Sequence, residues 1–205
     1  MSRRGRRRNI WPRRYRHGPA GALIVLLVAL AVALSRGRQS RTEPPAGGPD
    51  YDRYHNRTAL CTRVVDGDTL HVDIPDGPRR ETAVRLRGVD TPETVHPDKP
   101  AMHFGAEATD FVKSAVLGKP VRLVLVPHDT RDRYQRVLAY VYYGQPEEML
   151  NERLIAEGYG YADPRFKHPW REKFTQLEQQ ARRRKVGLWA DVRPEQMPAW
   201  RRDRE

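Results

Sequence analysis

One cysteine, Cys61, stands among 205 residues. That excludes an intrachain disulfide and any zinc site built on paired cysteines. Acidic residues are absent before Glu43, and no internal repeat occurs. The seven histidines are scattered, and His71 and His96 read as solvated or structural groups. The missing acids explain most of the formal net charge of +12, because Arg3, Arg4, Arg6, Arg7, Arg8, Arg13, Arg14, Arg16, Arg36, Arg38 and Arg41 all precede the first carboxylate. The other 27 basic residues face 26 acidic ones, so Thr42 to Glu205 carries +1. Bulk charge is therefore no argument for a polyanionic partner, and any affinity for phosphate must come from local placement of arginines.

The arginine-rich segment 1–17 is followed by GPAGALIVLLVALAVAL, Gly18 to Leu34, uncharged and bracketed by basic residues. At about 1.5 Å per residue it spans about 25 Å as a helix, slightly short of a hydrocarbon core of roughly 30 Å. Residues 18–35 read as an uncleaved membrane anchor, with a signal peptide cleaved near Ala33-Leu34-Ser35 as the alternative. In either case the leading arginines stay inside and the remainder is exported. Residues 36–57, with EPPAGGPD, read as a flexible linker.

From Ala59 the text becomes short alternating runs: ALCTRVV, DTLHVDI, TAVRLRGV, PVRLVLV and RVLAYVYY. These are five β-strands, separated by turn formers such as Pro75-Asp76-Gly77-Pro78, and they predict a small barrel over 58–190. Three helices accompany it. Phe104, Ala108, Phe111, Val112, Ala115 and Val116 form one stripe stopped by Gly118; Leu150, Leu154 and Ile155 mark a second ending at Gly158; Phe174, Leu177 and Ala181 mark a third. Its basic end, Arg182-Arg183-Arg184-Lys185, fits a last helical turn in water. Residues 191–205 read as a loosely ordered tail.

Chemistry concentrates in VVDGDTLHV (Val64 to Val72), VRLRGVDTPET (Val84 to Thr94) and DRYQR (Asp132 to Arg136). Alone, each is an ordinary turn or cap. The Pro75–Pro78 turn joins the first two as a hairpin whose opposed positions sum to roughly 155, which brings Asp68 near Arg87 to Asp90. Alternation puts Val84 and Leu86 on one face and Arg85 and Arg87 on the other. Two carboxylates with a backbone carbonyl nearby form a hard oxygen site for Ca2+ or Mg2+. Convergent carboxylates and arginines are what metal-assisted phosphodiester cleavage requires.

From Ala59 to Trp189 the chain resembles the thermonuclease, or staphylococcal nuclease-like, family. The matches are VVDGDT, RLRGVDTPET with His96-Pro97, FGAEA, DRYQR, MLNERLIAEGY and GLWA, in order. The resemblance implies an α+β domain, a five-stranded OB-fold barrel with about three packed helices, here preceded by an N-terminal hydrophobic helix. It implies one Ca2+ held by the carboxylates of Asp68 and Asp90 and the main-chain carbonyl of Thr91, with Asp66 in support. Glu93 would activate or orient the attacking water, Arg85 and Arg136 would grip the phosphate, and Tyr134 would assist. The implied reaction is cleavage of DNA or RNA to 3'-phosphate ends by a monomeric domain. Gln135 departs from the family's glycine; if that position has positive φ, it carries strain that bears on the aim of Arg136. Asn151 is expected to bond backbone. The competing reading is a non-catalytic OB-fold module, tethered to the membrane, that binds nucleic acid or protein.

Overall fold

Strands whose side chains alternate between core and outside roll into a closed barrel. The computed structural model describes residues 47–94 and 102–202, all within the unit Pro44–Glu205. The strands are β1 (Arg57–Asp66), β2 (Thr69–Val72), β3 (Thr82–Leu86), β4 (Val89–Asp90), β5 (Pro120–Val124), β6 (Val137–Tyr143), β7 (Glu148–Met149) and β8 (Tyr161–Ala162). The helices are α1 (Gly48–Tyr54), α2 (Gly105–Val116), α3 (Leu150–Ala156), α4 (Arg171–Arg184) and α5 (Ala199–Arg202). Antiparallel pairing runs β3-β2-β1-β5-β6, and a parallel β3–β6 pairing, Val84 with Val137 and Leu86 with Ala139, closes the ring. This is a five-stranded barrel with helices, the α+β arrangement of an OB fold. The basic segment 1–17, the apolar run 18–35, the first half of the expected linker, and His96-Pro97 lie outside the described residues. Among the described residues no helix is long and apolar enough to cross a membrane.

The barrel interior follows from the alternation. Cys61, Leu70, Val72, Val84, Leu123, Val137, Ala139 and Val141 are all fully buried, and α2 covers one end with Ala108, Val112 and Val116. Burial pushes the Cys61 thiol up to about 11, so it is an inert core group at neutral pH. Asn151 on α3 is also fully buried and bonds only backbone in the contacts seen: its Oδ1 accepts from Val141 N–H at 2.9 Å and its Nδ2 donates to Arg87 O at 2.9 Å. That fastens α3 to β6 and to the strand end leading to the site.

Three expectations change. The β2–β3 register pairs Thr69 with Arg85 and Val72 with Thr82, one residue away from the expected alignment. The domain begins before residue 58, because Gly48–Tyr54 is helical and Tyr54 is fully buried. Arg131 holds that helix: its guanidinium bonds both oxygens of Asp50, at 2.6 and 2.8 Å, and both of Asp76, at 2.8 and 3.0 Å. The tail is also folded. Residues 194–196 form a 3-10 turn, Met197 is buried, and α5 follows. Two glycines permit this end of the molecule. A Cβ on Gly158 would lie 2.2 Å from Val186 O and one on Gly187 2.3 Å from Gly158 O, so the turns after α3 and α4 touch backbone to backbone.

His168, ahead of α4, pairs its Nδ1 with the Tyr140 hydroxyl at 2.9 Å. Burial, then the charge of Arg87, lowers its pKa to about 4. The imidazole is thus neutral in the fold, whereas the unfolded chain takes up a proton below about 6.5. Stability is complete above that value and falls as pH drops toward about 4, by up to about 3 kcal/mol. Urea unfolding between pH 7 and 5 checks this: His168→Gln should flatten the slope, and an unchanged slope would exclude His168 as its source.

Candidate active site

The tight β1–β2 turn creates the acidic centre. Asp66 accepts the backbone N–H of Asp68 at 3.1 Å, which fixes the turn. Gly67 is required between them, since a Cβ there would sit 2.8 Å from Thr91 Oγ1 and 3.0 Å from Ala108 Cβ. Asp68 is 1% exposed and saturated. Its Oδ2 accepts from Thr91 N–H at 2.9 Å and Thr91 Oγ1 at 3.2 Å; its Oδ1 accepts from Thr69 Oγ1 at 3.0 Å and pairs with Arg85 Nη1. The second nitrogen of the same guanidinium, Nη2, bonds Asp90 Oδ1 at 2.5 Å. One planar cation therefore bridges two carboxylates that flank the open end of the β2–β3 hairpin, one before β2 and one after β3. Asp90 itself is set by a two-residue sheet in which it pairs with Tyr161.

Arg136 reaches the same centre from β6. Its Nε and backbone N–H bond Asp132, at 2.7 and 2.9 Å, and its Nη1 donates to Thr69 Oγ1 at 3.0 Å. The Thr69 hydroxyl in turn donates to Asp68, so Arg136 is linked to the acidic centre through one side chain. Gln135 has φ of +67, the left-handed conformation expected of a glycine, at a cost of about 1–2 kcal/mol. Arg136 nonetheless points at the site, because Asp132 grips it on one side and Arg131 Nη1 bonds Gln135 O at 2.8 Å on the other. Tyr134 is 62% exposed, with its ring centroid 5.5 Å from the Arg136 guanidinium.

Glu93 follows buried Pro92 and is exposed as a side chain. Protein mass around its carboxyl raises its pKa first, and the charges of Asp66 and Asp90 raise it further; Arg85 and Arg136 pull it down. The Asp66 carboxyl is likewise raised by burial, against the lowering charge of Arg85. These mutual influences place Asp66, Asp90, Glu93, Arg85 and Arg136 in one electrostatic cluster. Arg87, the partner of Arg85 on the same strand face, is not part of it. It is buried and bonds Asp129 Oδ2 at 2.7 Å, a structural role.

All donors at the centre are hard oxygens, which suits Ca2+ or Mg2+ and not a soft metal. Among the described residues no group of three or more His, Cys, Asp or Glu side chains could hold a metal ion. The fit rests instead on Asp68 and Asp90 converging on one positive group, the Arg85 guanidinium, so a hard cation there would draw its remaining ligands from water or backbone. Thr91 is seen as a double donor to Asp68. Three residues went unassigned from sequence: Thr69, although it stands inside the first motif, and Arg165 and Trp200. Trp200 Nε1 donates to Asp90 Oδ2 at 2.7 Å from 110 positions away, with no local signal to announce it. His71 lies on β2 beside Arg63 and Glu81, apart from these contacts. Tyr161 is core, and Tyr159 stacks on Phe111 at 4.4 Å.

Residues 83–191 match the family described as Staphylococcal nuclease homologue. The chain is similar to the thermonuclease of Staphylococcus hyicus, 37% identical over 172 residues, 82% of this chain and 96% of that protein. It is also similar to the thermonuclease of Staphylococcus intermedius, 34% identical over 168 residues, 80% and 95% of the two chains. A third relative, endonuclease YncB of Bacillus subtilis (strain 168), is 33% identical over 156 residues, 74% of this chain and 71% of that one.

Proposed function

The chain belongs to the staphylococcal nuclease family and is a hydrolase, and from that premise we propose that it cleaves DNA or RNA with one Ca2+ ion and leaves 3'-phosphate ends. The observation that carries the proposal is the single guanidinium of Arg85 bridging Asp68 and Asp90, with Arg136 tied to the same centre through Thr69. Asp68 and Asp90 would hold the ion, with the Thr91 carbonyl beside them and Asp66 fixing the turn. Bound there, Ca2+ supplies positive charge that offsets the phosphodiester anion. Arg85 and Arg136 approach from two strands and donate to the phosphate oxygens, offsetting charge that grows as attack proceeds. Glu93 orients the attacking water and accepts its proton. Tyr134 forms the rim beside Arg136. A non-catalytic module would have no use for this whole set, and the relatives are nucleases.

The domain would be exported and held at the membrane by residues 18–35, with the released form as the alternative. Fractionation of cells making the full chain distinguishes these, because a cleaved form is soluble and begins near Arg36.

The test is the full chain with plasmid and single-stranded nucleic acid, with Ca2+ or a chelator, followed by end-group analysis. Ca2+-dependent products that ligate only after the 3'-phosphate is removed and the 5'-hydroxyl is phosphorylated are expected. No cleavage with any divalent ion would refute the enzyme mechanism. Glu93→Gln should lower turnover by about 10²–10³ and remove the acid limb of the pH profile. In the metal-free site burial and the charges of Asp66 and Asp90 raise the Glu93 carboxyl, and activity is lost as pH falls through its titration. An unaltered limb in Glu93→Gln assigns the proton to another group.

A further inference from the structure

We propose that the C-terminal helix completes the active site, with Trp200 a positioning residue that orients the Asp90 carboxylate toward the cation. The inference rests on the assignment of Asp90 as a ligand. A carboxylate turns easily about its last bond, and an ion site needs one orientation. Here both oxygens of Asp90 are held, Oδ1 by Arg85 Nη2 at 2.5 Å and Oδ2 by Trp200 Nε1 at 2.7 Å. The indole has one donor and no acceptor, so this contact engages its whole polar capacity.

The indole is itself fixed on several sides. The Arg165 guanidinium lies 4.4 Å from its ring centroid, a cation–π contact, and is anchored by Asp163, with Nε and Nη2 each 2.8 Å from a carboxylate oxygen. Arg165 Nη2 also stands 3.6 Å from Asp90 Oδ2 and adds positive charge there. Tyr161 meets the indole edge-on, with centroids 6.4 Å apart at 83°, and Tyr161 is the strand partner of Asp90. The residue that sets the backbone of Asp90 therefore also seats the ring that sets its side chain. The tail is pinned on both sides of Trp200, by buried Met197 and by the ion pair of Arg201 with Glu178.

Trp200→Phe deletes the donor and keeps a ring against Tyr161 and Arg165. With the full chain, calorimetric Ca2+ titration should show a dissociation constant raised about 10- to 100-fold, and turnover should recover as Ca2+ is raised. The thermal midpoint without Ca2+ should stay within a degree or two. The difference in indole fluorescence between wild type and variant should change on Ca2+ addition, which a packing role alone would not produce. Wild-type Ca2+ affinity in Trp200→Phe overturns the proposal while leaving the nuclease mechanism intact. Tighter binding also overturns it, since the indole would then be a competitor for Asp90. A wild-type chain that binds no Ca2+ refutes the metal assignment itself.

Discussion

Arg85→Ala is expected to lower turnover by two to three orders of magnitude while leaving Ca2+ binding intact or tighter. The loss follows from the proposed role of Arg85 as a phosphate donor: one preorganised donor to developing negative charge is worth roughly 3–4 kcal/mol. The second half follows from geometry. The guanidinium now occupies both Asp68 and Asp90, so an incoming cation must share or displace it. Removing it leaves two carboxylates, 1% and 15% exposed, without their shared counter-charge, and only Asp90 keeps a cation nearby, Arg165 at 3.6 Å. A buried charge stripped of its partner destabilises a fold by about 3–5 kcal/mol, and a cation can take over that role. The thermal midpoint of Arg85→Ala should therefore be low in chelator and rise steeply with Ca2+, much more than in the wild type. Steady-state kinetics, a calcium isotherm and melting curves with and without Ca2+ check the three parts. Full activity in the variant would remove Arg85 from the chemistry.

Asp68→Ala should act in the opposite sense on the cation: binding and cleavage are lost together, and no concentration of Ca2+ restores either. Asp68 receives Thr69 Oγ1, Thr91 N–H, Thr91 Oγ1 and Arg85, and all four donors lose their acceptor. Each buried orphan costs about 1–3 kcal/mol, so the variant should also melt well below the wild type. Asp68→Asn keeps one acceptor oxygen and most of the shape and removes the charge, but its NH2 faces two donors whichever way it points. It should melt between Asp68→Ala and the wild type and still fail to bind Ca2+ by calorimetry. Unchanged affinity in Asp68→Asn would reject the ligand role. The pair of variants is informative because Arg85→Ala and Asp68→Ala both lose activity yet move cation affinity in contrary directions.

Much of this site is legible in the sequence because it is built on a local hairpin. VVDGDT and RLRGVDTPET are joined by one turn, and alternation aims Arg85 correctly. The one-residue register difference arises just beyond the turn: Asp76 pairs with Arg79 in the expected alignment around Gly77 at φ +58, and the slip falls between that bridge and the Val72–Thr82 pair, a detail composition does not encode. Arg87 looked equivalent to Arg85 by alternation, and only the position of Asp129 makes it a core ion pair. The helix at Gly48–Tyr54 reads as linker because Gly47-Gly48-Pro49-Asp50 is turn-forming; it is stabilised from outside, by Arg131 and by burial of Tyr54. Gln135 adopts the glycine conformation because neighbours on both sides of it hold the loop. Trp200 lies furthest from inference, since its partner is distant in the chain and its short helix is sustained by contacts rather than by periodicity.

The parallel seam between β3 and β6 also governs when the site is assembled. Asp68, Arg85 and Asp90 share a hairpin and can assemble early, whereas Arg136 joins them only when Val137 docks beside Val84, after a long loop has closed. Long-range closures of this kind are slow steps of folding. A chain whose ring is still open would thus carry Asp68, Arg85, Asp90 and Arg136 without bringing them together. With one cysteine and no intrachain disulfide to wait for, the site is complete as soon as the ring shuts.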